Sequence, residues 1–74
     1  MSQEQRDAAR LAANLTQAGF DVRYGAKNHY LARVNGGVVS WAASPSDWRW
    51  VQNTASRLKK LGVKITKSLD VENG

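Results

Sequence analysis

The sequence predicts an α+β domain, order α-β-β-β-α: a three-stranded antiparallel sheet with two helices packed on one face. Three observations carry that expectation. Apolar residues recur at helical spacing near both ends of the chain. Between them the period changes to two. At the centre, Asn35-Gly36 joins two runs rich in β-branched and aromatic residues, and Asn-Gly suits a type I′ turn, whose central residues both need φ > 0.

The first helix starts with Ser2 as cap and Gln5 three residues later, a capping-box pattern. Ala8, Leu11, Ala12 and Leu15 form its apolar stripe; Asp7, Arg10, Asn14 and Gln17 lie outside the stripe and should be solvated. Gly19 ends the helix, and Phe20 is placed to pack back on Leu15 in a Schellman motif. Phe20, Val22 and Tyr24 then alternate with Asp21 and Arg23 as a half-buried strand.

A two-residue turn at Asn35-Gly36 pairs Val34 with Gly37, Ala32 with Val39 and Tyr30 with Trp41. Tyr30, Ala32, Val34, Val39 and Trp41 therefore share the bulkier face, which should carry the core. His29, Leu31, Arg33, Val38 and Ser40 share the other. For Val22 to join the core face, the preceding turn needs an odd residue count, such as Gly25-Ala26-Lys27. That parity places Arg23 beside His29 on the open face.

Ser44-Pro45-Ser46-Asp47 reads as the start of the second helix: a serine cap, proline at the first position and an acidic residue at the third. Trp48, Val51, Thr54, Ala55, Leu58 and Leu61 form its stripe, with Trp50 at the margin, and Gly62-Val63 repeats the Gly19-Phe20 ending. Arg49, Asn53, Ser56, Arg57 and Lys60 fall on the outer face. After Ile65 no pattern is evident. The expectation is one domain over residues 1–65 and a flexible tail over 66–74.

Composition narrows the chemistry. A chain of 74 residues buries only roughly 60% of its unfolded surface, so its fold depends on close agreement among its parts. No cysteine is present to form a disulfide, no Cys/His cluster suggests zinc, and no cofactor motif occurs. No apolar run approaches a membrane span, and Ser2-Gln3-Glu4-Gln5-Arg6-Asp7 is not a signal peptide, so the expected setting is cytoplasmic, without membrane contact. Eleven Lys/Arg against six Asp/Glu give a formal charge of +5, which attracts phosphates and also aids solubility.

The chain resembles the HicA-type toxins, whose fold is that of the double-stranded-RNA-binding domain. The resemblance runs from about Ala8 to Ile65. It rests on Leu15-x-x-Ala18-Gly19-Phe20-x-Val22, on Lys27-Asn28-His29 opening the second strand, and on Leu58-Lys59-Lys60-Leu61-Gly62-Val63 closing the last helix. Ser44-Pro45-Ser46-Asp47 with Asn53, Arg57 and Gly62 is similar to small HicA-like proteins encoded by actinobacterial phages. The resemblance implies a metal-independent mRNA interferase of a toxin–antitoxin type system, with His29 as the catalytic residue and RNA as the partner. Cleavage by a 2′-hydroxyl needs proton transfers that imidazole performs near neutral pH, with cations to hold the phosphate. Arg23, Lys27 and Arg33 are the nearest such cations by register; Arg49, Asn53, Arg57 and Lys60 would supply further RNA contacts along the helix. The alternative is a non-catalytic small basic protein that binds nucleic acid, or a host protein or antitoxin, through the same fold. In that reading Leu31 and Val38 on the open face are contacts, for a partner or for a homodimer.

Overall fold

The computed structural model describes residues 3–25 and 27–72. Helix α1 (Gln3–Gln17) leads into strands β1 (Asp21–Gly25), β2 (His29–Val34) and β3 (Gly37–Ala42), followed by helix α2 (Arg49–Lys60) and two short strands, β4 (Lys64–Ile65) and β5 (Val71–Glu72). The first three strands form an antiparallel sheet in the order β1-β2-β3. This is the expected α-β-β-β-α, α+β arrangement, with a small second hairpin added at its end.

The hairpin register is the one that Asn35-Gly36 dictates: Val34 pairs with Gly37, Ala32 with Val39 and Tyr30 with Trp41. Asn35 and Gly36 both have positive φ, 47° and 86°, as the turn requires. Gly25 pairs with His29, leaving three residues between them, so the odd count holds, shifted by one position from 25–27 to 26–28. Ala32, Val34, Val39 and Trp41 are buried on one face, and His29, Leu31, Arg33, Val38 and Ser40 are all exposed on the other.

Ala8, Leu11, Ala12 and Leu15 of α1 meet the buried face, together with Thr54 and Leu58 of α2. Both helices therefore cover one side of the sheet. Both end in Schellman motifs. Phe20 N donates to Leu15 O at 3.1 Å and Gly19 N to Thr16 O at 3.0 Å; Val63 N donates to Leu58 O at 2.9 Å and Gly62 N to Lys59 O at 3.0 Å. Where the last helix ends, the Leu61 side chain lies directly over Gly37, occupying the space that a Cβ there would need.

Four expectations are corrected. Helix α2 begins at Arg49, not Pro45, and Trp48 occupies its N-cap position without a side-chain cap. The cause is local competition. Asp47 Oδ1 accepts from Arg49 N at 2.8 Å, bending the chain before the helix. Ser44 Oγ is engaged elsewhere, accepting from the amides of Gln5 and Asn28. Trp48, lying ahead of the helix, does not follow the helical stripe and is 61% exposed, while Trp50 packs against the core. Tyr24 is likewise 61% exposed, because β1 is an edge strand and Tyr24 lies next to its last residue. Asn14 is half-buried and donates to Leu69 O at 2.8 Å instead of facing water.

That last bond belongs to a segment without sequence periodicity. Residues 66–70 turn back so that Lys64 pairs with Glu72 and Ile65 with Val71. Leu69 enters the core at 3% exposure. In place of the expected flexible tail, residues 66–72 complete a hairpin held through buried Leu69, half-buried Val71 and the Asn14 amide. Ser2, the expected first cap, and residues 73–74 lie outside the described residues.

Candidate functional site

Strand β2 delivers His29 to the end of the open sheet face, fully on the side away from the helices. Its Nδ1 lies 2.7 Å from the carbonyl oxygen of Lys27. A carbonyl only accepts, so the proton of that bond sits on Nδ1. In the neutral ring Nε2 is then the basic nitrogen, and it carries no hydrogen-bond partner among the described residues.

The loop that makes this bond is bent in an uncommon way. Lys27 and Asn28 both have positive φ, 65° and 61°. Asparagine tolerates this conformation; lysine adopts it at a cost of about 1–2 kcal/mol. The surroundings hold the pair in place. Ala43 N donates to Asn28 O at 2.9 Å, Asn28 Nδ2 donates to Ser44 Oγ at 3.1 Å, and the Tyr24 hydroxyl donates to Asn28 Oδ1. Backbone strain of this kind, over-determined by neighbours, is characteristic of functional loops.

The cations named from sequence divide between two sides of the molecule. Arg23 and Arg33 are exposed on the sheet side with His29, and Lys27 lies in the adjoining loop. Arg23 pairs with Leu31, diagonally from His29, and its Nε is 3.5 Å from Asp21 Oδ1. Arg57 and Lys60 are exposed on α2, on the opposite, helix side. Arg49 and Asn53 are exposed on the same helix. They line an open groove of about 350 Å³ together with Trp50 and Ala42, and Ala42 is the register partner of His29. The fold thus puts Arg23, His29 and Arg33 on one sheet face, with Arg33 four residues along β2 from His29 and Lys27 in the adjoining loop; Arg49 and Asn53 line the groove beside Ala42, and Arg57 and Lys60 lie on the helix side.

Sequence reasoning passed over three residues beside His29. Tyr24 reads as core by alternation, Ser44 as a helix cap, and Asn28 as an ambiguous turn residue; together they form the polar junction behind the histidine. The signal for it was the clustering of Asn28 next to the lone histidine, but its partners are 4 and 16 residues away. No group of three or more His, Cys, Asp or Glu residues able to hold a metal ion occurs among the described residues. Likewise, no described helix is long and apolar enough to cross a membrane. No family model matches the chain, and neither a curated protein nor a solved structure is significantly similar to it.

Proposed function

We propose that this chain is a HicA-like RNA-binding protein of the bacterial cytoplasm, and that His29 serves as the acid–base group of a metal-independent endoribonuclease. One observation carries the reading: the Lys27 carbonyl fixes the His29 tautomer so that the outward nitrogen is the basic one. In the reaction Nε2 takes the proton of an RNA 2′-hydroxyl, whose oxygen attacks the adjacent phosphorus. The bond from phosphorus to the 5′ oxygen breaks, and that oxygen receives a proton from the imidazolium or from water. Arg23, diagonal to His29 on the same face, offsets the charge developing on the phosphate oxygens, and Arg33, four residues further along β2, meets a neighbouring phosphate. Lys27 is close enough in sequence to meet the next phosphate, and Arg49 and Asn53 extend the contact around the β3 edge. Arg57 and Lys60 are left to solubility and to the helix dipole at the end of α2.

The test is expression of the wild type and of His29→Ala in a bacterial host, followed by inspection of total RNA. Growth arrest and RNA cleavage by the wild type alone support the reading. A wild type that neither arrests growth nor cuts RNA sinks the catalytic half of it.

A second reading rests on Leu31 and Val38. They are 37% and 60% exposed and sit diagonally on the same open face, an apolar pair that a phosphate backbone does not use. A host protein, an antitoxin or a second copy of the chain docking there would shield His29 without any chemistry. Salt separates the two. RNA affinity falls steeply as salt rises because counterions are released on binding, whereas an apolar interface is much less sensitive.

A further inference from the structure

Behind His29, around the end of the sheet, lies a small groove of about 220 Å³ lined by Tyr24, Tyr30, Asn28, Ala43, Ser44 and α1 residues. It is smaller than the roughly 300–1,000 Å³ typical of drug-sized ligands. Among its lining residues Tyr24 is 61% exposed yet held at both ends. The hydroxyl donates to Asn28 Oδ1, and the ring packs edge-on against Tyr30 with centroids 5.2 Å apart. Tyr30 in turn stacks on the buried Trp41 at 5.7 Å. An exposed tyrosine ordinarily loses side-chain freedom on binding; this one is already fixed, so a planar ligand stacks on it at little further cost.

The polar rim is equally specific. The Asn28 amide gives one N–H to Ser44 and keeps a second. Ser44 Oγ accepts two amide hydrogens, from Gln5 at 3.0 Å and Asn28 at 3.1 Å, which directs its own hydroxyl hydrogen away from them. A flat aromatic platform edged by an amide N–H and a hydroxyl is the chemistry that holds an unpaired nucleobase: a π-face to stack on and donors for the ring's acceptor edge. Asn28 is the residue immediately before His29, so a strand whose phosphate meets His29 has only the sheet end to round before its next base reaches the groove.

We propose that Tyr24, Asn28 and Ser44 form a subsite for one unpaired nucleobase, so that the RNA engaged at His29 is single-stranded. This rests on the RNA-binding reading and narrows it, because a base inside a duplex cannot stack on Tyr24.

The experiment compares a short single-stranded RNA carrying 2-aminopurine with the same RNA annealed to its complement, using wild type, Tyr24→Ala and Tyr24→Phe. Because Tyr24→Ala also removes the bond to Asn28 and the edge contact with Tyr30, the thermal unfolding midpoint of each variant is measured alongside and affinities are compared well below it. Expected are preference for the single strand, a change in 2-aminopurine fluorescence on binding, and a loss of roughly 5- to 150-fold in single-strand affinity for Tyr24→Ala. Tyr24→Phe, which keeps the ring and loses only the tether, should stay within several-fold of wild type. Duplex affinity should not respond to either substitution. If wild type binds strand and duplex alike and Tyr24→Ala changes neither, the subsite is overturned while RNA binding stands. If no RNA binds the wild type, both fall together.

Discussion

The indole N–H of Trp41 donates to the backbone carbonyl of Ala8 at 3.1 Å, in a contact buried between β3 and α1. It is a tertiary bond between two elements 33 residues apart, and it orients the helix whose Ala8, Leu11, Ala12 and Leu15 fill the core. The Ala8 oxygen also lies within helical reach of the amide four residues on, so removing the indole does not strand it.

Trp41→Phe is therefore expected to destabilise the domain by about 1–3 kcal/mol, of which about 0.5–1.5 is the hydrogen bond and the rest the space left by a smaller ring. Urea unfolding followed by circular dichroism measures it. A midpoint equal to wild type would mean that the bond contributes nothing.

The start of α2 separates two serine and aspartate roles. Asp47→Ala should cost about 1 kcal/mol, because it removes the acceptor for the Arg49 amide. Ser44→Ala should leave the helix boundary where it is and loosen Asn28 and Gln5 instead. Backbone chemical shifts of residues 45–51 report this directly; a helix shortened by Ser44→Ala would contradict it.

Leu69→Ala is expected to cost about 2–5 kcal/mol, as for any fully buried leucine. Asn14→Ala should cost about 1 kcal/mol, since it leaves the Leu69 carbonyl without its amide donor. Faster amide exchange at Ile65, Val71 and Glu72 in both variants would tie the loss to the second hairpin. Unchanged exchange there would show that the hairpin is not held this way.

Charge should act on one side of the molecule. With single-stranded RNA, Arg33→Gln is expected to reduce the slope of log affinity against log salt by about 0.7, the value for one phosphate contact. Arg57→Gln, on the helix side, should leave that slope unchanged. Asp21→Asn, which removes the anion beside Arg23, should strengthen binding. Equal effects of Arg33→Gln and Arg57→Gln would mean that RNA does not select the sheet face.

Much of the architecture was legible in the residues because local and tertiary preferences agree there. Gly19 and Gly62 each end a helix at the point where an apolar residue returns to the core, and Asn35-Gly36 sets a register that sorts every side chain of β2 and β3. Legibility failed where a side chain had two competing partners. Ser44 is a good cap by type, but it satisfies amides from α1 and the β1–β2 loop, neither of which sequence spacing can anticipate. Leu69 stands among polar residues and has no period to reveal it, and the amide that bonds its carbonyl belongs to an asparagine 55 positions earlier. For the site, parity correctly placed Arg23 and Arg33 on the face of His29, while the carbonyl that sets the histidine's tautomer appeared only with the bent Lys27-Asn28 backbone.

The depth of Leu69 also bears on truncation. A chain cut after Ile65 contains both helices and all three main strands, yet its core lacks a leucine that is 3% exposed in the intact domain. The apolar surface that Leu69 covers then stays open to solvent, and such a chain holds nearly all of the secondary structure around an unfinished interior.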